Sequence, residues 1–227
     1  MRIKWLSHAA FELHTSKGVV LIDPFLNNNP LAPIKPEEVR EAELVIVTHD
    51  HFDHLGDAVN IAKRTGAKIV ALPELALSLE GVETVAINMG SYVDIDGIKV
   101  ALVQAFHTCS RGFPAGCLVS VDNVTVYHAG DTSLFGDMKL IGELYRPDVA
   151  LLPIGGYYTM GPREAAVAAN LIKPKVVIPM HYATFPVLVQ KPDEFLKEME
   201  KVAPEVKVVV LRPGEAYQVT ISTTQPP

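Results

Sequence analysis

The chain is poor in cysteine, with only Cys109 and Cys117 among its 227 residues. Two cysteines cannot form the disulfide framework of a small secreted domain, so we expect a reducing compartment. No run of 18 or more apolar residues occurs, and the start M-R-I-K-W-L-S-H lacks the long apolar segment of a signal peptide. We therefore expect a cytoplasmic protein without a membrane partner.

Basic residues are also scarce, because 20 lysines and arginines stand against 26 acidic residues and give a net charge of −6. A protein that binds phosphate backbones needs a basic face, so this balance argues against a nucleic-acid partner. We therefore expect a small-molecule substrate as the partner. This substrate can be anionic, because a bound metal ion would be the largest local charge and would attract it. The sequence is also compatible with a homo-oligomer.

The hydrophobic fraction of 48% is typical of a globular protein, and we expect one domain over residues 1–227 with a frayed tail from about residue 220. Hairpin patterns such as V-D-I-D-G-I-K-V dominate the first half, and helices alternate with strands from Asp137 to Leu211. This order favours an α/β (α+β) fold with two mixed sheets packed face to face and helices on the outer faces.

The run T-H-D-H-F-D-H concentrates metal-binding side chains in a way that a soluble core does not require. Further histidines and an aspartate follow the predicted strands Ile98–Ala105, Val124–Tyr127 and Val176–Pro179. The candidate metal ligands are His49, His51, Asp53, His54, His107, Asp131 and His181. Strand ends on one edge of a sheet can bring such residues into one crevice. We therefore predict one site from distant segments.

Imidazoles bind borderline metals, and a carboxylate can offer one oxygen to each of two ions. We assign His49, His51 and His107 to a first metal. Asp53, His54 and His181 are assigned to a second metal, and Asp131 bridges the two. The alternatives are a metal-free surface loop and a structural zinc site. Structural zinc sites are usually closed and rich in cysteine, whereas this set contains no thiolate and two carboxylates.

Several segments resemble the metallo-β-lactamase superfamily, within it the small prokaryotic metal-dependent hydrolases related to the L-ascorbate-6-phosphate lactonases. They are W-L-S-H-A-A-F, I-D-P-F-L, V-T-H-D-H-F-D-H-L-G-D, Y-H-A-G-D-T, L-P-I-G-G-Y-Y-T-M-G-P-R-E-A and V-I-P-M-H-Y-A-T-F-P. The resemblance covers roughly residues 1 to 219 and implies a four-layer αββα sandwich with a dimetal site at the edge between the sheets. The family usually has glycine where this chain has Ser7.

The same residues indicate a metal-dependent hydrolase in which a metal-bound hydroxide attacks a phosphodiester, lactone or ester of a small, anionic metabolite. Asp53 is the predicted proton acceptor. The resemblance places His8 near the metal mouth, where we predict a proton donor or a substrate contact. Arg111, Tyr157 and Tyr158 are candidate substrate-binding residues, although each also fits an ordinary loop role.

One or two divalent ions are expected; zinc is favoured, while manganese, nickel and iron also suit histidine and carboxylate ligands. Two other functions remain open on sequence alone. One is a mono-iron oxidoreductase that uses part of the same ligands. The other is a non-catalytic, metal-dependent protein with a binding or sensing role.

Overall fold

Two seven-stranded sheets form the centre of the protein, whose computed structural model describes residues 1–220. In spatial order the first sheet contains β14 (Ala216–Gln218), β1 (Arg2–Trp5), β2 (Phe11–Thr15), β3 (Gly18–Ile22), β4 (Leu44–Ile46), β5 (Lys68–Ala71) and β6 (Thr84–Ala86). The second contains β13 (Lys207–Val208), β12 (Val176–Met180), β11 (Val149–Pro153), β10 (Val124–His128), β9 (Ala115–Val121), β8 (Ile98–Gln104) and β7 (Val93–Ile95).

Helices flank these sheets. In chain order they are α1 (Phe52–Leu55), α2 (Ala58–Thr65), α3 (Pro73–Ala76), α4 (Met138–Tyr145), α5 (Pro162–Ile172) and α6 (Asp193–Val202), with a 3-10 turn at Pro36–Glu38. None of the helices within residues 1–220 is both long enough and apolar enough to cross a membrane. The predicted fold class, two mixed sheets flanked by helices, is confirmed.

Strand β4 shows how the sequence forms the layers. All three of its residues are buried, with Leu44 and Ile46 in the core between the sheets and Val45 in a second core that includes Ile61 of α2. Alternate side chains of a strand point to opposite faces, so a parallel strand covered on both sides is apolar throughout. The chain after Ile46 therefore leaves the sheet at the edge between the two layers.

Three details differ from the sequence expectations. Helix α1 and strand β14 were not predicted, because one helical turn and three residues are too short to show a periodic pattern. The predicted strand Lys207–Leu211 is confined to β13. Its partner β12 bonds to it through Val177, and two residues later Pro179 has no N–H with which to extend the pairing. Of the predicted tail, residues 221–227 lie outside the described part.

Candidate metal centre

The predicted ligands come from the carboxyl ends of strands in both sheets. His49 and His51 follow β4, whereas Asp53 and His54 lie on α1 directly after them. The other three follow β8, β10 and β12; they are His107, Asp131 and His181. All seven lie at one edge of the sandwich, where the possible ligand atoms form two clusters and a third group, His49, His54 and Asp131, that joins them.

The first cluster consists of His49, His51 and His107, whose ligand atoms lie within 4.8 Å of one another. His49 Nε2 is 3.0 Å from His51 Nδ1. On the other side of the His49 ring, Nδ1 lies 3.0 Å from the Thr48 hydroxyl, which fixes the ring orientation. The rings of His51 and His107 are partly exposed, so this cluster faces solvent.

The second cluster consists of His8, Asp53, His54 and His181, again with ligand atoms within 4.8 Å of one another. His54 Nδ1 is 2.7 Å from Asp23 Oδ2, and both groups are fully buried. A carboxylate behind an imidazole orients the ring and leaves the opposite nitrogen for a metal. Asp23 stands in the motif I-D-P-F, where the sequence allows either a partner of a ligand histidine or a turn cap, and the structure places it beside His54.

The Asp131 carboxylate lies between the two clusters. Its Oδ1 is 3.2 Å from His54 Nε2, and its Oδ2 is 3.1 Å from His181 Nε2 and 3.5 Å from His107 Nε2. One oxygen therefore faces the second cluster, and the other lies between a ring of each cluster. This placement suits a carboxylate that bridges two ions.

Within residues 1–220, several buried atoms at this site make no hydrogen bond of acceptable geometry, although some lie close to one another. They are His54 Nε2, Asp131 Oδ1 and both ring nitrogens of His181. Buried polar atoms are nearly always paired, because an unpaired one costs roughly 1–3 kcal/mol. Nitrogen and carboxylate oxygen are also the donors that zinc and similar ions accept. The residues present therefore fit one or two divalent ions.

Charges support the same fit. Burial opposes ionisation of Asp131, but His181 and His54 hold its pKa well below the usual range. Burial and then the charge of His181 lower the pKa of His8 to about 4, and burial and then His54 lower the pKa of His49 to about 2. Ionised carboxylates and neutral imidazoles are the forms that bind metals.

His54 differs, since Asp131 and Asp23 outweigh its burial and raise its pKa well above 6.5. Two carboxylates thus create a negative potential around one buried ring, and such a potential attracts a cation. For Asp53, burial opposes ionisation, but the hydrogen bond from His8 and the charge of His54 lower its pKa.

Unusual backbone conformations surround the second cluster. Ser7, His8 and His181 have φ angles of +83°, +54° and +56°, in the left-handed region that side chains rarely adopt. Each such residue costs of order 1–3 kcal/mol and persists only where neighbouring structure enforces it. Here the His181 N–H donates to the His8 carbonyl at 3.0 Å, and the Trp5 indole N–H donates to the same oxygen at 2.9 Å. The hydrogen bond from His181 therefore holds the loop after β12 against the first hairpin, so the strained conformations persist.

Gly155, which follows β11, allows the loop after β12 to pack closely against it. A Cβ atom at this position would overlap the His181 carbonyl oxygen, at a separation closer than real contacts allow. Gly130 has a similar role beside Asp131, because it has φ +62° and an added Cβ would lie only 2.5 Å from the Ala115 carbonyl oxygen. Both glycines are thus required for the positions of ligands.

An open cavity of about 470 Å³ lies above the clusters. His51, His107, Asp53, Asp131 and His181 reach it from below, and Phe52, Thr108, Tyr158, Phe185 and Val187 form the rest of its wall. The volume is within the usual range for small-molecule sites, about 300–1,000 Å³. A substrate can therefore reach both clusters from solvent.

The chain matches a known protein family over most of its length. A sequence profile of the beta-lactamase superfamily domain matches residues 2–181, which contain every predicted ligand. The chain belongs to the metallo-β-lactamase superfamily. The superfamily resemblance and its αββα sandwich, both expected from the motifs, are confirmed.

Similar members of the superfamily include proteins from two archaea. A UPF0173 metal-dependent hydrolase of Methanopyrus kandleri is 52% identical over 96% of this chain and 100% of its own length. One from Archaeoglobus fulgidus is 53% identical over 96% and 99%. The solved structure of Igni18, a metallo hydrolase from Ignicoccus hospitalis, is 40% identical with a TM-score of 0.90 and covers 96% of this chain and 99% of its own. The chain thus belongs to the UPF0173 family.

The three predicted substrate contacts lie in different places relative to the cavity. Tyr158 lines the cavity, whereas Tyr157 is 76% exposed and does not. The Arg111 guanidinium also lies outside the cavity wall and pairs with Asp50 at 3.4 Å. Of the three predicted substrate contacts, the structure therefore brings only Tyr158 to the site.

His8 is fully buried and is not part of the cavity wall, so the structure gives it no position for direct contact with substrate. Its Nε2 lies 3.2 Å from Asp53 Oδ2, and its Nδ1 lies 2.9 Å from the Thr184 hydroxyl. The ring holds Asp53 from behind. Sequence reasoning did not identify Thr184, because a threonine in an irregular loop gives no pattern.

Two further histidines belong to neither cluster. His128 is buried, with Nε2 2.8 Å from the Ala9 carbonyl oxygen, and it accepts the Gly130 N–H at Nδ1. His14 is partly exposed beside Glu12, 3.1 Å away. Phe52 and Phe185 were not singled out, although Phe52 stands between two ligands in the motif; that position was the available signal.

Proposed function

We propose that the chain is a metal-dependent hydrolase that acts on a phosphodiester, lactone or ester of a small molecule. The observation that carries this proposal is the pair of ligand clusters joined by Asp131 at the floor of an open cavity. A structural metal site is closed, whereas this one faces solvent. Zinc is the favoured ion, and manganese, nickel and iron suit the same donors.

Ions held by these residues would supply Lewis acidity, which lowers the pKa of a water molecule and polarises the bond to be broken. The chain's own contribution begins with orientation. Asp23 and Thr48 fix His54 and His49 from behind, and Asp131 sets the spacing between the two clusters. Rings held in this way need no rearrangement when substrate binds.

Asp53 is the proposed proton acceptor. Its carboxylate lines the cavity with a side chain that is 13% exposed, and only its Oδ2 is bonded to His8. In this role Asp53 is not a metal ligand: His54, His181 and Asp131 would hold the second ion, and the other Asp53 oxygen would take a proton from the attacking water and pass it to the leaving group. His8, held by Thr184, is a positioning residue that keeps this carboxylate aimed at the cavity.

The test combines elemental analysis with turnover. Purified protein is stripped with a chelator, reloaded with Zn²⁺ or Mn²⁺, and assayed with bis(p-nitrophenyl) phosphate, p-nitrophenyl acetate and a γ-lactone. We expect about two equivalents of metal and restored turnover, which His51→Ala abolishes. His14→Ala is the matched control, because this histidine lies outside both clusters.

Two outcomes contradict the proposal. One equivalent of iron without hydrolysis of any probe would favour the oxidoreductase function. Full metal occupancy without hydrolysis, and without an exchangeable water on the metal, would favour a binding or sensing protein.

A further inference from the structure

The wall of the cavity above the second cluster is aromatic. Phe52 and Phe185 line it together with Val187, and Phe25 packs behind them. The Phe25 ring lies 5.7 Å from that of Phe52 at 90°, and the Phe52 and Phe185 centroids are 6.3 Å apart. These edge-to-face and tilted contacts are favourable for aromatic pairs, so the three rings support one another.

Much of this apolar wall is exposed to solvent. Phe52 is 70% exposed and Val187 is 50% exposed, although Phe25 behind them is buried and only 2% accessible. Folding gains little from such exposed apolar area. An exposed apolar surface inside a pocket marks a place for a ligand. Phe52 also stands between the ligands His51 and Asp53, so anything that packs against it lies beside the reacting atoms.

The cavity also lacks fixed positive charge. Within residues 1–220, no lysine or arginine lines it, and Arg111, the predicted substrate contact, pairs with Asp50 outside the wall. An anionic group away from the metal ions would therefore lose water without gaining a cationic partner. The opposite side is more polar, with Thr108 and Tyr158.

From these observations we infer that the substrate carries an uncharged, apolar acyl or aryl group, which packs against Phe52, Phe185 and Val187 while its hydrolysable bond faces the clusters. This inference rests on the proposed function and revises the expectation of an anionic metabolite. Phe52 and Phe185 set the specificity.

Binding of hydroxamates tests this inference without turnover, because the hydroxamate group binds the metal and the attached tail samples the wall. Isothermal titration calorimetry with the Zn²⁺-loaded protein compares acetohydroxamate, benzohydroxamate and the hydroxamate of succinic acid, whose tail ends in a carboxylate. We expect benzohydroxamate to bind at least about tenfold more tightly than acetohydroxamate. The succinyl compound binds no more tightly than acetohydroxamate.

Phe52→Ala and Phe185→Ala should each reduce the benzohydroxamate preference about threefold or more, and Phe52→Leu should retain most of it. The control is Phe113→Ala, since Phe113 is equally exposed at 71% but does not line the cavity. Circular dichroism shows whether each variant is folded. Because Phe52 is a surface residue, its variants provide the decisive comparison if Phe185→Ala fails to fold.

Equal affinity for all tails, preference for the charged tail, or absence of hydroxamate binding would overturn the inference. A preference for the aromatic tail without turnover of any ester, lactone or phosphodiester would overturn the proposed function and leave the specificity inference intact. Turnover with no discrimination between tails would do the reverse.

Discussion

The two ligand clusters differ in how they are built. The second cluster is almost entirely buried, and its rings are tied to Asp23, Thr184 and the strained first hairpin. The first cluster consists of two partly exposed rings and the buried His49, which is held through one hydroxyl. The clusters meet at Asp131, which lies within 3.5 Å of rings of both, and at the rings of His49 and His54, whose centroids are 4.1 Å apart.

This contrast teaches that the second cluster is formed by folding itself, whereas the first is completed by loops. Rigid ligands lose less freedom when they bind an ion. We therefore expect the second cluster to hold its metal more tightly and the first to release its metal sooner when a chelator is added. The following predictions separate the clusters, in order of decreasing effect.

Asp131→Asn should have the largest effect, because it removes the charge shared by the two clusters while keeping the size of the side chain. We expect the metal content to fall from two equivalents to one or fewer and kcat/KM to fall by at least about 1,000-fold. Elemental analysis and bis(p-nitrophenyl) phosphate kinetics measure both. Two retained metals with kcat/KM within about tenfold of the parent would show that Asp131 does not bridge.

Gly155→Ala should disrupt the second cluster alone. The added Cβ would overlap the His181 carbonyl oxygen, so the loop that carries this ligand must shift. We expect a loss of stability of roughly 1–3 kcal/mol and the loss of one equivalent of metal. Thermal unfolding and elemental analysis are the measurements.

The matched control for that variant is Gly136→Ala, where an added Cβ meets no atom within 4 Å. Its metal content and melting temperature should remain those of the parent. If Gly155→Ala retains both metals with full stability, then close packing at Gly155 does not fix the position of His181.

Asp23→Asn should weaken the second cluster more mildly. The amide keeps the shape but loses the negative charge that faces His54 Nδ1 at 2.7 Å. Loss of such a partner typically weakens metal binding about 10- to 100-fold. The first cluster should weaken less, because Asp23 reaches His49 only through the Thr48 hydroxyl, which it accepts at 2.6 Å. Competition titration with a chromophoric chelator measures the two affinities. Equal weakening of both metals would contradict the separation of the clusters.

The seven predicted ligands come together at one edge of the sandwich, and this convergence has a physical basis. Ligand types have few other uses at such density, and strand ends such as those before His107 and His181 converge because the sheet geometry requires it. The two-sheet fold was also predicted and is confirmed, because hairpin turns and βα alternation are local patterns in the sequence. Both features depend on short stretches of sequence.

The cavity wall was harder to predict, because it depends on distances between loops. Phe185 approaches Phe52 through an irregular segment after β12, and no periodicity reports that approach. His8 illustrates the same limit. Its motif placed it near the metal, but only the structure shows that its ring is fully buried behind Asp53. Loop arrangement, not residue type, decides these roles.

Arg111→Ala should have the smallest effect. Its guanidinium is 54% exposed and pairs at 3.4 Å with the Asp50 carboxylate, which is 2% exposed and lies outside the cavity wall. Asp50 also accepts the Ser110 N–H at 2.8 Å, so the loop after His107 keeps a second tie when the arginine is removed. We expect kcat/KM to change less than about twofold for uncharged and anionic substrates alike. A selective loss of about tenfold with anionic substrates would instead show that Arg111 swings into the cavity, and the wall would then have the cation that its apolar character argues against.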